Sequence, residues 1–375
     1  MALGKQLADP AALARLGTDA LPSAGSPPGR NRTYSDGRLG WFMAGPAAAL
    51  LVGFIILPAT LAFVLAFTNQ RLISPNPTEF VGIANFSRLL TVKILTLEPL
   101  ADPVTGEVVY PEIRDLTRDP ASEYYQLQEL ATFGIGDTKI VLLAGDSVFI
   151  RSLVNTLVFT LVIVPVQSLF GLLLALMINR RIRGVNLFRT AYFVPVVVSM
   201  VVVSILWKFL YAPDGIINDL IGTVTFGLVQ PRDWLGDPTT ALPAVMLMSM
   251  WQAVGFHMVI WLSGLQTIPT QLYEAASIDG AGRWDQFRNV TWPGLRNTSV
   301  FILITITIAA FGLFTQIDVM TAGGPLDATT TVIYQAVVRG FRQQDIAYGS
   351  AISVVFFVMV LAVSLLQRYL TREAA

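Results

Sequence analysis

Six apolar runs govern what this chain can fold into: Phe42–Phe67, Leu153–Ile178, Thr190–Tyr211, Ala241–Ile268, Asn297–Ile317 and Ala347–Leu366. Each reaches the roughly 20 residues that an α-helix needs to cross a hydrocarbon core. A backbone in lipid must satisfy its own hydrogen bonds, so separate runs of this length predict helices. The expected fold is an all-α integral membrane protein with six spans and both termini on one side. Composition agrees, since 54% of the 375 residues are hydrophobic and only 13% are charged, far from a soluble balance.

The basic residues set the orientation. Lys5, Arg15, Arg30, Arg32 and Arg38 precede the first run, and Arg180, Arg181, Arg183 and Arg189 crowd the connection after the second. Arg283, Arg288 and Arg296 flank the connection between the fourth and fifth, and Arg368 and Arg372 follow the sixth. The alternate connection Ala212–Thr240 holds one Arg against Asp214, Asp219, Asp233 and Asp237. The positive-inside rule therefore predicts cytoplasmic termini in a cell membrane, and a cytoplasmic connection around Glu274. Residues 1–41 have no signal-peptide core and read as a disordered cytoplasmic tail. The organisation expected is that tail, a span over 42–67, an external loop over 68–151 and a core domain over 152–375.

Several function classes are disfavoured. The formal net charge of zero gives no broad attraction to nucleic acid, and the absence of cysteine removes thiolate chemistry and cysteine metal sites. There is no GxxxxGK[ST] loop, and Gly280-Ala281-Gly282 lacks the third glycine and preceding strand of a dinucleotide fingerprint. His257, the sole histidine, has no Cys, Asp or Glu near it in sequence, which points to a polar contact within a helix bundle and not to a metal site or catalytic dyad. No enzymatic activity is expected of this chain. The span cores contain no Asp, Glu, Lys or Arg, with Lys208 near the end of the third. Proton- or sodium-coupled carriers use such groups, and no channel filter is visible.

The polar stretch Glu274–Pro293, EAASIDGAGRWDQFRNVTWP, separates the fourth and fifth runs. Thr270 is placed to cap a helix starting at Gln271, with Glu274 in its first turns where the dipole favours an anion. Ala275 and Ala276 keep one face small. Gly280 and Gly282 permit a bend. Trp284 and Phe287 give a second short segment an apolar stripe, and Pro293 suits the first turn of the next span. Amphipathicity alone favours a loop resting on lipid headgroups. The spacing of Glu274-Ala275-Ala276, Asp279-Gly280 and the closing Val290-x-Trp292-Pro293 resembles the EAA loop of binding-protein-dependent ABC importer permeases. Val290 and Trp292 depart mildly from that pattern. The resemblance implies that Glu274, Ala275, Ala276, Asp279, Gly280 and Pro293 couple the chain to an ATPase.

It extends through Leu206–Asp219, Asp233–Pro238, Ala241–Pro269 and Thr321–Thr331, which look like carbohydrate permeases of the maltose and glycerol-3-phosphate group. That resemblance implies the type I ABC importer permease fold with an EAA coupling loop over about 270–293. It implies a sugar substrate, a second homologous permease subunit, two copies of a cytoplasmic ATPase and an extracytoplasmic substrate-binding protein. No cofactor is expected in this chain, since ATP and Mg would sit on the ATPase. Import of glycerol-3-phosphate, a peptide or an amino acid, or a non-transporting membrane sensor, are the alternatives. Trp251, Gln252 and Phe256, with Thr305 and Gln316 on the fifth span, are candidate substrate-path residues because they combine hydrogen bonding with ring stacking. Plain helix packing explains each singly as well. Between the first two spans, Phe80–Phe86 resembles a segment lying along the outer membrane face. Thr91–Gly145 is an insertion with a hairpin signal at Asp102–Glu107, either a contact for the binding protein or a decoration without contact.

The charge asymmetry yields a direct test. A cytoplasm-active reporter fused after Arg183 or after Arg288 is expected to be active, and the same reporter within Thr91–Gly145 silent; activity at the last site overturns the topology.

Overall fold

The computed structural model describes residues 36–101, 108–136, 138–179 and 184–372. The expected tail up to residue 35, Arg180, Arg181, Arg183 and the 102–107 hairpin tip lie outside the described residues. The chain divides into two compact units, Met1–Ala59 and Thr60–Ala375. α1 (Asp36–Leu51) continues into a π-helical turn, Val52–Ile56, and α2 (Leu57–Leu65) follows in sequence. Trp41, Phe42, Leu50 and Phe54 are exposed at different angles around this helix, as befits a helix surrounded by lipid.

The second unit opens with α3 (Ala84–Leu90) and the insertion. The insertion adds a small sheet to the helical fold. Strand β1 (Val92–Leu97) is followed by the short pair β2 (Leu100–Ala101) and β3 (Val108–Val109), then α4 (Ile113–Arg118), β4 (Gln128–Ile135) and β5 (Thr138–Ala144). A three-stranded antiparallel sheet has the order β1-β5-β4, and β2 pairs with β3 as the hairpin signal predicts. Alternation along the strands buries Leu95, Leu97, Val141 and Leu143 against Ile113, Leu116, Tyr124 and Leu127, the two-faced pattern of a sheet covered on one side. Apolar runs this short carry no span signal, so a reading organised by span length passes over them.

The insertion is tied to the bundle by Asp146. Its Oδ1 accepts from Phe149 N at 2.9 Å and caps the next helix, while Oδ2 accepts from Tyr348 OH at 2.8 Å and pairs with Arg339 at 3.3 Å. Asp146 is 2% exposed. A carboxylate so buried is tolerated only because every one of these donors is in place.

The spans follow: α5 (Ser147–Ile178), α6 (Val185–Val197), α7 (Met200–Leu210), the short α8 (Ile216–Val224) and α9 (Ala241–Thr267). After the polar connection, α10 (Thr270–Ile278), α11 (Arg283–Gln286) and α12 (Trp292–Gly294) lead to α13 (Arg296–Phe311), α14 (Thr315–Met320), α15 (Val332–Val337) and α16 (Ile346–Arg372). Among the described residues, four helices are long and apolar enough to span a membrane, and two bent pairs bring the number to six if each pair is one span.

The third span is not straight as the sequence suggests. α6 and α7 meet at 100°, where Val198 and Ser199 are extended. Pro195 inside α6 removes a donor, and Val196, Val197 and Val198 are stiff at χ1. The carbonyl of Pro195 is left without a helical donor, and Gln252 Nε2 reaches it at 3.4 Å. The fifth span is also shorter than expected, because α13 stops at Phe311 and Gln316 falls on the separate α14. Thr331 Oγ1 donates to the Leu313 carbonyl at 2.8 Å in the break.

α9 is the core of the bundle. On α5, Trp261 Nε1 donates to the Ser168 carbonyl at 3.0 Å, and Gln167 Nε2 lies 3.0 Å from His257 Nδ1, so the histidine makes the interhelical polar contact expected of it. Across from α6, Gly255 lies against the backbone of Tyr192, the close approach that small residues permit between membrane helices. Gly255→Ala drives a Cβ into the Tyr192 carbonyl, and overpacking of this kind costs about 1–3 kcal/mol. Thermal unfolding of the purified complex in detergent should show this loss. Gly222→Ala, with nothing within 4 Å of the new atom, should not show it.

Candidate functional site

The stretch after α9 folds as two short helices around a tight bend. Pro269 stops α9, since the residue before a proline avoids the α region, and Ile268 is extended at ψ 122°. α10 starts at Thr270, with Pro269 as its cap and no side-chain cap bond. Thr270 is therefore not the capping residue, and Glu274 sits in the second turn, beyond the reach of most of the dipole's effect.

α10 ends in a Schellman motif. Ala281 N–H donates to the Ala276 carbonyl at 2.9 Å and Gly280 N–H to that of Ser277 at 3.2 Å. The motif needs a left-handed residue between them, and Gly280 supplies it at φ 79°. Gly282 then opens α11, its N–H bonded to Asp285 Oδ2 at 3.1 Å. Gln286 Nε2 bridges back to Ser277 Oγ at 3.0 Å, and Tyr273 OH lies 3.0 Å from Thr291 Oγ1. These two contacts fix the angle between the helices. At their base, Gly294 packs on Ile268 and Gly264 on Thr298, so the pair is mounted tightly on α9 and α13.

The outward face is uncovered. α10 buries no residue; Leu272, Ala275 and Ile278, three apart, form an exposed stripe, and Ile278 is 87% exposed. Trp284, 70% exposed, stacks on Phe287 at 5.5 Å. Glu274 stands beside the stripe and, among the described residues, has no ion-pair partner. Asp279 caps the C-terminus of α10. Pro293 lies within α12, two residues ahead of Leu295 and α13. The result is an uncovered apolar ridge and an exposed carboxylate beside a rigid turn.

The proposed path residues do not form one cluster. Trp251 and Phe256 are both partly exposed on α9, but at five residues apart they point about 140° away from each other around the helix. Trp251 lies 5.5 Å from the Trp207 ring, and Phe256 meets His257 edge-on. Gln252 is buried on the Pro195 carbonyl. Thr305 Oγ1 bonds its own helix at the Phe301 carbonyl, 2.7 Å away, and Gln316 is half-buried on α14. Sequence reasoning missed Ser204 and Ser249, whose hydroxyls are buried without a partner among the described residues. A lone serine in an apolar helix gives no periodic signal.

Residues 144–374 match the family described as "Binding-protein-dependent transport system inner membrane component". The chain belongs to this family. It is 35% identical over 284 residues to the lactose transport system permease protein LacF of Rhizobium radiobacter, covering 74% of this chain and 93% of that protein. It is 35% identical to the probable ABC transporter permease protein YurN of Bacillus subtilis (strain 168), over 62% of this chain and 80% of that one. Among solved structures, a bacterial ABC transporter involved in import of the acidic polysaccharide alginate aligns with TM-score 0.66 at 18% identity, over 91% of this chain and 99% of that chain. The fold is thus that of an ABC importer permease, and this member of the family is a multi-pass membrane subunit of a binding-protein-dependent transport system.

The bend gives a test that separates backbone from bulk. Nothing lies within 4 Å of a Cβ at Gly280, so bulk contributes nothing there, contrary to what size alone suggests. An L residue in the left-handed region costs about 1–2 kcal/mol. Gly280→Ala should lower transport, and Gly280→Asn, which tolerates this region better, should recover part of it in the same uptake assay.

Proposed function

We propose that this subunit forms half of the translocation path of an ATP-driven importer for a sugar, a di- or oligosaccharide delivered by an extracytoplasmic binding protein. The uncovered helix pair at Thr270–Gly294 carries the reading. A mounted ridge with an unpaired carboxylate suits docking by a protein that pushes and pulls on α9 and α13. Two copies of a cytoplasmic ATPase hold ATP and Mg and supply the energy, and a second homologous permease completes the path. The sugar assignment is supported by the lactose permease relative; the sn-glycerol-3-phosphate permease UgpA of Yersinia pestis, 32% identical over 68% of this chain and 88% of that one, supports import of a small solute by the same kind of subunit. Both termini and the Glu274 loop face the cytoplasm on this reading, and Asp279 and Ala276 shape the docked surface beside Glu274 and Ala275.

The path runs beside α9. Trp251 and Phe256 offer ring faces to sugar, while Gln252 holds the bent third span and adjusts when that bend changes. Truncating one partner of a buried charged contact costs about 2–5 kcal/mol, a factor of tens to thousands in binding. Proteoliposomes holding the permease pair and ATPase should take up sugar only with binding protein and internal ATP. Glu274→Ala should cut that uptake at least tenfold and strip the ATPase on purification, with the permease pair intact. Parental uptake with ATPase retained contradicts the assignment.

A further inference from the structure

The connection between α7 and α9 carries a second uncovered apolar feature, at the opposite end of α9 from the Glu274 loop. Asn218 on α8 builds it. Its Nδ2 donates to the carbonyls of Ala212 at 3.0 Å, Pro213 at 3.2 Å and Arg232 at 2.9 Å. Its Oδ1 accepts from Arg232 N at 3.2 Å and from Trp234 Nε1 at 3.0 Å. One buried amide thus staples α8 to both ends of its own loop. The helix ends in a Schellman motif, with Gly227 N–H on the Gly222 carbonyl at 2.7 Å and Phe226 N–H on that of Thr223 at 3.3 Å. Phe226, not a glycine, occupies the left-handed position at φ 53°.

The outward side of this rigid element is apolar and bare. Ile216, Leu220 and Val224 line successive turns as an exposed stripe, and beyond them Phe226 is 93% and Leu228 86% exposed. From Leu220 to Pro231 there is no charged residue. Its level along the bundle is fixed by the span ends it joins. Tyr211 OH, one residue past α7, donates to the Ala244 carbonyl in the first turn of α9 at 3.0 Å, and Tyr211 contacts the rings of Trp207 and Trp234 at 5.4 and 6.3 Å. These contacts hold the connection at the level where α7 ends and α9 begins. The span that leads into this connection, α7, likewise exposes apolar residues, Val202, Leu206 and Phe209.

We infer that α8 and its Phe226–Leu228 tip insert into the acyl–headgroup boundary of the leaflet opposite the Glu274 loop, as an in-plane amphipathic anchor for the bent third span. The stripe's composition favours lipid over a protein partner. Protein hot spots are rich in Trp, Tyr and Arg, whereas this surface is aliphatic with one Phe, and the exposed Arg232 at its edge suits the phosphate level. Anchoring the loop at that depth gives the 100° bend a fixed external end, so movement transmitted along α9 alters the bend and leaves the helix ends in place.

The natural chain has no cysteine, so single spin labels report without background. Leu220→Cys and Leu228→Cys, each labelled in the assembled transporter in phosphatidylethanolamine–phosphatidylglycerol nanodiscs, should collide severalfold more with dissolved oxygen than with a water-soluble nickel chelate. A label at Thr239→Cys should show the reverse. Preference for nickel at 220 and 228 places the stripe in water, and exclusion of both relaxers places it under a protein; either result overturns the inference. Because the labels sit far from the Glu274 loop, ATPase retention and sugar uptake report on the functional reading separately.

Discussion

In a bilayer each backbone amide needs a partner, and the fold depends on how this chain meets that demand where its helices break. Two spans break inside the bundle. At Val198–Ser199 the Pro195 carbonyl loses its helical donor and Gln252 supplies one from α9. At Gly312–Leu313 the Thr331 hydroxyl does the same for Leu313. An unsatisfied group in hydrocarbon costs several kcal/mol, so these side chains decide where a bend is stable. Both bends border α9, the most buried span. A bundle of straight helices would offer no site at which a push on one helix could change the shape of the space beside another.

That architecture links the two ends of α9. At one end the helix pair Thr270–Gly294 is mounted on α9 and α13 through Gly264 and Gly294, with its ridge unburied. At the other, α9 meets α7 through Tyr211 and, through Asn218 and Trp234, the clamped α8. Between them the bond from Gln252 reaches the bent third span. On the proposed function, force applied to α10 would reach the bent third span along this well-packed helix.

The sequence showed the spans because hydrophobic length is a strong, local signal. α5, α9 and α16 begin or end within a few residues of the runs that announced them. It showed the bend at Gly280 for an equally local reason, since a left-handed position suits glycine. What it could not show depends on tertiary partners. The break after Val197 needs Gln252, the sheet in the insertion pairs residues 42 to 52 positions apart across β1 and β5, and the Asp146 cluster joins residues up to 202 positions apart. Thr270 looked like a cap because its residue type fits, but the proline before it had already set the helix start. Gln252 was read as a substrate contact for its chemistry, and the same chemistry holds a backbone carbonyl.

The account rests on the claim that the open ridge of α10 is covered by the ATPase. A photoactivatable cross-linker on Ile278→Cys in the assembled transporter tests this most directly, because the residue is exposed in the isolated subunit and the rest of the chain has no cysteine. The account predicts a cross-link to the ATPase subunit that weakens in Glu274→Ala. Cross-linking only to lipid, or the same ATPase yield with and without Glu274, would contradict it.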